Sequence, residues 1–495
     1  MEGKATHYKS IFKATSIFGG VQVFNILITL IRGKAIALLL GTAGMGLNGL
    51  FLSSINLIRN LSSLGISESA VRDIAKANAA GDSEQIGRTF SVFKRWIWIT
   101  AGFGIVLTIA FSPLLSQFSF NSNKYTTSYI WLSSTFVFAA LTGGIYTLLR
   151  GTGQIKYLAQ ANILGAIAGL VVALPIFYFY GIQGIVPAFI ATALAHFLVS
   201  LYFSTKVQYT KVAINWQETW QLGKPMVQLG LSLTLINLLA SAVAFALSAY
   251  ITKTGNLSDL GIYNAGNSIV EGYVGMVFTA MANDYFPRLS AIIDDNVKWK
   301  QLVNQQAELL IIILSMVLVL LISTTPILIR ILLSKQFLSA QDFIIWSVLA
   351  IPLKGLVWVT GFVVLAKGHN KLFLTIEVVA NLILLGFNIL FYSLYGIDGL
   401  GISLAVSYSI FIVIMAIVLK TKYEYRFSKE VVSLSIVSLT SLSLCILSIK
   451  VLGYPNAYFA EIVIVMLTLS YSLFQLNKRV NLKGILSSVK SKIKK

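Results

Sequence analysis

The sequence predicts an all-α integral membrane protein of about fourteen transmembrane helices, with two repeat-related six-helix lobes around a central cavity and two further C-terminal helices. Three observations predict it: a composition too apolar for a water-soluble core, apolar runs of span length, and a self-match at one fixed offset. Hydrophobic residues make up 56% of 495, charged residues 11%, and mean hydropathy is +0.80. Soluble proteins carry about 25% charged residues, and soluble cores stop growing at about 250–300 residues. Lipid must therefore solvate much of this surface.

A helix crosses the hydrocarbon core in about 20 residues. Runs of that kind fall at 14–40, 43–66, 95–116, 128–150, 157–180, 183–204, 225–252, 260–283, 308–330, 343–366, 372–395, 397–419, 431–453 and 457–477. With the N-terminus inside, 29 of the 38 Lys and Arg residues fall on the cytoplasmic side, and only Lys124, Lys253, Arg330, Lys335 and Lys450 fall on the other. Both termini are then cytoplasmic, because basic loops resist translocation. The same asymmetry explains the net charge of +20. A nucleic-acid partner would need that charge gathered on one soluble domain, so nucleic acid is excluded. Two cytoplasmic loops, Glu68–Lys94 and Asp284–Gln306, are long enough for interfacial helices. In the tail, Leu482, Ile485, Leu486, Val489 and Ile493 share one helical face among lysines, a pattern that suits an anionic leaflet.

The chain matches itself at an offset of 215 residues. Trp131 pairs with Trp346, Gly153 with Gly368, Lys156 with Lys371, and Gly46 with Gly261. Tyr180-Gly181-Ile182 and Gly184 pair with Tyr395-Gly396-Ile397 and Gly399, while Arg72 and Arg288 lie one residue out of register. The offset maps the first six spans onto the next six. An even number of spans per unit makes the repeats parallel, an arrangement found in alternating-access transporters. The implied organisation is an N-lobe at 1–210, a C-lobe at 211–425, two appended spans at 426–477, and a basic amphipathic tail at 478–495.

Four basic side chains lie inside spans: Arg32, Lys34, Arg59 and Lys354. Each costs about 2.5–3.5 kcal/mol at a helix centre and so reads as functional by default. Lys354 sits near mid-span, about 16 Å from either end at 1.5 Å per residue, beyond easy snorkelling. Arg32 shares a face with Asn25, seven residues earlier. Lys34 is nearer the outer end, and Arg59 is about two turns from the cytoplasmic end. Of the acidic residues, Glu271 is central, whereas Glu377 and Glu461 lie near span ends and read as snorkelling. Arg59 and Glu271 share a depth in repeat-equivalent spans, which makes a lobe-to-lobe ion pair the expected arrangement. Arg and Lys in a partly desolvated pocket recognise phosphate or carboxylate, so the expected substrate is anionic.

Three stretches stand out: Leu30-Ile31-Arg32-Gly33-Lys34-Ala35-Ile36-Ala37 running into Leu40-Gly41-Thr42-Ala43-Gly44-Met45-Gly46, Leu64-Gly65-Ile66 to Arg72 with Ala80-Gly81-Asp82, and Arg150-Gly151-Thr152-Gly153-Gln154. Along its first twelve spans the chain thereby resembles the MOP exporter superfamily and, within it, the Wzx-type polysaccharide and O-antigen flippases. The resemblance implies a bacterial inner-membrane flippase that moves an undecaprenyl-diphosphate-linked oligosaccharide to the outer leaflet. Arg32, Lys34, Arg59 and Lys354 would then meet the substrate, and Glu271 with Asn25 would serve coupling or gating. It implies no bound cofactor, leaves an H+ or Na+ gradient as a source of drive, and makes the polymerase and glycosyltransferases of the same route candidate partners.

Two related readings stand beside it. Lipid II flippases carry Arg-Asp at the span 1 position, where this chain has Arg32-Gly33. MATE-like cation-coupled exporters keep carboxylates in their first lobe, and spans 1–6 here have no central one. No enzyme signature competes: the chain lacks a phosphate-binding Gly-rich loop followed by Lys-Ser/Thr. With Cys445 as the one cysteine and three scattered histidines, it offers no metal-ligand cluster either.

Overall fold

The structure, a computed structural model, describes residue 22 and residues 24–480. The described residues form helices and turns, with no strand among them. Helix α1 covers 24–39. It is followed by α2 (Gly41–Ser62), α3 (Ile66–Ala79), α4 (Ser83–Phe120), α5 (Thr126–Leu132), α6 (Thr135–Gly151), α7 (Ile155–Tyr180), α8 (Ile185–Ser204) and α9 (Trp216–Thr254). Then come α10 (Leu257–Ala291), α11 (Asn296–Leu332), α12 (Gln341–Ala366), α13 (Asn370–Tyr423), α14 (Lys429–Leu452) and α15 (Ala457–Val480). Among the described residues, nine helical stretches are long and apolar enough to cross a membrane. Two of these, Ile155–Ser204 and Asn370–Tyr423, run to 50 and 54 residues and each contains a reversal. The start of the first apolar run and the amphipathic tail lie outside the described residues.

Polar caps set where the long helices begin. The Asp82 side chain accepts from Gln85 N at 2.8 Å at the start of α4. Asn215 and Glu218 form a reciprocal capping box at the start of α9. Asp295 accepts from Val297 N and Lys298 N, both at 3.1 Å, before α11. Each satisfies backbone donors that the first helical turn leaves unpaired. At 38 residues and 1.5 Å per residue, α4 is about 57 Å long, well beyond a ~30 Å hydrocarbon core.

Both loops expected to hold interfacial helices are resolved in helix. Residues 68–79 of the first belong to α3, which buries Ile66, Ala70, Ile74 and Ala77 in the packing against α4, α6 and α9. The second forms no separate helix: α10 runs on to Ala291 and α11 starts at Asn296. Span 4 is also less regular than its apolar run predicts, because Ser133 and Ser134 separate α5 from α6.

The repeat is visible in backbone conformation. Gly153 and Gly368 end α6 and α12 with φ of 70° and 73°. Around them the same two hydrogen bonds form in each copy: Gln154 N to Leu149 O (2.8 Å) and Gly153 N to Arg150 O (3.1 Å), then His369 N to Val364 O (3.2 Å) and Gly368 N to Leu365 O (3.0 Å). This is the Schellman C-cap, which needs a left-handed residue that glycine supplies without a Cβ clash. Gly181 and Gly396 reverse the chain with φ/ψ of 53°/−134° and 62°/−141°. A Cβ on Gly184 would strike the Ile176 carbonyl oxygen, and one on Gly399 would strike that of Phe391. Those two carbonyls are themselves repeat-equivalent.

The chain divides into two compact units, residues 1–261 and 262–495. In the first, α7 packs along α8, α6 along α8, and α9 against α2, α3 and α4. The opening of α10 also belongs to this unit, and Gly46 and Gly261 meet backbone to backbone. A Cβ on Gly46 would collide with the Leu257 carbonyl, and one on Gly261 with the Thr42 carbonyl. The second unit is built on α11, whose buried face packs on α12, α14 and α15. There α12 lies along α13, and Tyr285 of α10 donates to Val359 O at 3.0 Å.

Candidate functional site

In the first unit, α1 is amphipathic in a limited sense: Ile36 and Ala37 are buried, Leu38 and Leu39 exposed, and Arg32 half-buried. The Arg32 guanidinium lies over the Phe189 ring of α8 at 5.7 Å, a cation–π contact that favours arginine's delocalised charge in an apolar setting. His196, two turns along α8, is close enough to interact electrostatically with Arg32. The imidazole rests in a recess that Gly165 and Gly169 of α7 leave open, since a Cβ at either would come within 3.2 Å of the ring. Asn25 is partly buried and its carbonyl accepts from Thr29 Oγ1 at 2.8 Å. Lys34 occupies a more exposed side of α1.

Arg59 opens onto a second feature of this unit. Its guanidinium donates to Asn56 Oδ1 at 2.9 Å and lines a cavity of about 240 Å³ with Ser62, Ser63, Ser67, Thr100 and Phe136. Leu64 and Gly65, both at positive φ, turn the chain so that α3 begins at the cavity wall with Ile66 and Ser67. A guanidinium and serine hydroxyls together suit an oxyanion.

In the second unit the structure brings two expected residues together. Lys354 Nζ of α12 donates to Glu271 Oε1 of α10 at 2.7 Å. The side chains are 29% and 48% exposed, so the pair is accessible rather than sealed. Pro352 of α12 lies two residues before Lys354 and removes one backbone donor there. The Phe278 ring sits 6.0 Å from the ammonium, and Tyr408 of α13 interacts electrostatically with Lys354, Glu271 and Glu377. Within its own unit Glu271 pairs with Lys354, a partner that depth along the sequence does not single out, because the azimuth of each helix decides which side chains meet.

Three residues of interest escape sequence reasoning. His196 and Tyr408 look like ordinary core residues until α8 and α13 place them beside Arg32 and Lys354. The signal for His196 was present in Gly165 and Gly169, whose four-residue spacing leaves room for one bulky neighbour. Glu461 departs from expectation: it does not snorkel but is 1% exposed, and neither carboxylate oxygen has a hydrogen-bond partner among the described residues. No group of three or more His, Cys, Asp or Glu suited to a metal occurs among the described residues.

Apolar helices long enough to cross a bilayer define a multi-pass membrane protein. Solved structures of transporters share its fold. A lipid II flippase, MurJ, in an inward closed conformation is 14% identical with a TM-score of 0.62, covering 94% of this chain and 99% of that one. A multidrug resistance MATE family transporter of the MOP superfamily, inward-facing, is 17% identical with a TM-score of 0.64 over 81% and 94%. A point mutant of the Vibrio cholerae MATE transporter VcmN is 17% identical with a TM-score of 0.57 over 93% and 100%. Among curated proteins, none matches the sequence. The model of a family described as polysaccharide biosynthesis protein matches residues 35–342, more than half of the chain, and the chain belongs to that family.

Proposed function

We propose that this protein flips an undecaprenyl-diphosphate-linked oligosaccharide, of O-antigen or similar surface-polysaccharide type, from the cytoplasmic to the outer leaflet by alternating access. It would do so in a bacterial inner membrane with both termini cytoplasmic. The observation that carries this reading is the set of charges on α1, α2, α10 and α12. Arg32 and Arg59 present guanidinium groups inside the first unit, and the Lys354 ammonium in the second is held by one exchangeable carboxylate, Glu271. Membership of a polysaccharide biosynthesis family supports a glycan-carrying substrate, and a diphosphate would supply the anion such cations recognise. The prenyl chain would stay in lipid.

Chemically the site breaks no covalent bond, so no catalytic group is assigned. A diphosphate approaching Lys354 competes with Glu271 for the ammonium. Binding therefore frees a carboxylate as it neutralises the cation. Coupling of that exchange to an H+ or Na+ gradient, and contact with the polymerase or glycosyltransferases that use the same glycolipid, belong to this proposal.

The test is translocation of a fluorescent polyprenyl-diphosphate saccharide in proteoliposomes by wild type, Arg32→Ala and Lys354→Ala. Loss of flipping in both variants, with protein amount and fold intact, is the expected result. Failure of the wild type on every glycolipid tried, with cation-driven efflux of small amphiphiles instead, would move the protein to the exporter class.

A further inference from the structure

The chain between α8 and α9 has two unlike sides. One side is tied to α4 by satisfied polar contacts. Arg88 pairs with Glu218 at 2.5 Å, and Arg95 donates to Thr219 Oγ1 at 3.0 Å and to the Ile214 carbonyl. Ser91 Oγ donates to Val212 O at 2.9 Å, and Trp96 Nε1 to Thr219 O at 3.1 Å. The Thr210 carbonyl closes on Gly87 so tightly that a Cβ there would collide with it. Residues 206–220 are thus strapped along the first half of α4.

The other side is unlike any water-facing loop. Trp216 and Trp220 are 68% and 62% exposed, although each is already covered on one face, by the Arg95 guanidinium at 5.1 Å and by the Trp96 ring at 5.5 Å. Lys206, Lys211 and Lys224 are exposed as well. Between residues 206 and 224 the one acid is Glu218, and Arg88 already neutralises it. Position along the helix gives this side its surroundings. Apolar sequence resumes at Pro225, which places Lys224 and Trp220 about 2 and 8 Å outside the span at 1.5 Å per residue. The headgroup layer is about 5–8 Å deep on each side, so these two stand within it, where indole rings partition and lysine side chains reach phosphate. Trp216, one turn farther out, stands on its aqueous side.

We infer that this strap, with Trp216, Trp220, Lys206, Lys211 and Lys224, is a docking surface for anionic lipid headgroups. Charge complementarity selects the occupant. The strap itself carries three exposed ammonium groups and one acid already paired with Arg88. Of the two acids that flank Ser83 on α4, Asp82 is engaged in capping that helix and Glu84 leaves the balance positive, which favours a negatively charged headgroup over a zwitterionic one. Because the strap joins the two sequence repeats, lipid held there would anchor the start of α9 to α4. The inference is independent of the flippase reading.

The experiment is brominated-lipid quenching of tryptophan fluorescence, with the full chain in vesicles mixing phosphatidylglycerol and phosphatidylcholine, only one of which is brominated at a time. The strap's contribution is the signal lost in the Trp216→Phe/Trp220→Phe variant. Competition should give phosphatidylglycerol a relative association constant about fivefold higher there, the ratio one lysine near an anionic surface supports. A Lys206→Gln/Lys211→Gln/Lys224→Gln variant, altered only at exposed positions, should bring that ratio to one. Equal quenching by both lipids in the wild type would overturn the inference. So would no quenching of the strap by either, as when a second copy or another protein covers it, and so would a preference that survives the triple lysine variant.

Discussion

Replacing Glu271 with Gln and Lys354 with Met, singly and together, measures the ion pair at the centre of the second unit. At 2.7 Å two unit charges attract by about 6 kcal/mol at an effective dielectric constant near 20. Desolvation and the ordering of a lysine side chain offset most of that. Exposed pairs are worth about 0.2–1 kcal/mol, and breaking a buried one costs about 3–5 kcal/mol. With one side chain about a third exposed and the other about half, a coupling of about 1–2 kcal/mol is expected between those limits. The assay is reversible unfolding by SDS titration of all four proteins, read by circular dichroism. Each single variant should lose stability, and the double variant should regain part of it. Additivity within about 0.3 kcal/mol, the level expected of independent sites, would refute the pairing. A parallel cycle on Arg59 and Glu271 is the control: coupling there in place of Lys354 would restore the arrangement that depth alone predicts.

Three further outcomes are expected. Gly46→Leu should destabilise by about 3 kcal/mol or more through overpacking against the Leu257 carbonyl, whereas Gly102→Ala in α4, with nothing within 4 Å of its new Cβ, should stabilise by about 0.5–1 kcal/mol; SDS titration distinguishes the signs. Gly153→Ala and Gly368→Ala should each cost about 1–2 kcal/mol and by similar amounts, because both residues cap a helix in the left-handed region, and unequal losses would argue against the repeat in backbone form. At the start of α9, hydrogen bonds from the Asn215 backbone N–H and then from Arg88 hold the Glu218 carboxyl below the usual glutamate range. Its folded pKa is depressed, so its contribution is present above about pH 4.3 and disappears as pH falls through the folded value. Hydrogen-exchange protection at 216–222, taken relative to the intrinsic exchange rate at each pH, should fall on acidification in the wild type, and Glu218→Gln should remove that fall.

Much of the architecture is legible from the sequence alone. Apolar runs of span length mark the helices, because lipid allows backbone polar groups no partner outside the helix. The repeat at 215 residues locates equivalent turns, because Gly153, Gly181, Gly368 and Gly396 each hold a positive φ that glycine adopts freely. The intramembrane cations were legible too, since charge inside an apolar run is conspicuous on composition alone.

What tertiary structure decided is which of those charges meet. Lys354 and Glu271 are 83 residues apart, and their contact depends on how α10 and α12 are rotated about their own axes. Glu461 shows the same limit. Near the end of an apolar run it reads as a snorkelling carboxylate, yet packing of α15 in the second unit buries it. Nor could the strap over α4 be read in advance, because an irregular segment has no periodicity and takes its path from the Arg88, Ser91, Arg95 and Trp96 contacts it makes. Sequence determines depth and helical period, which are local properties of the chain. Rotation and pairing depend on contacts between distant segments, and only the folded chain brings those together.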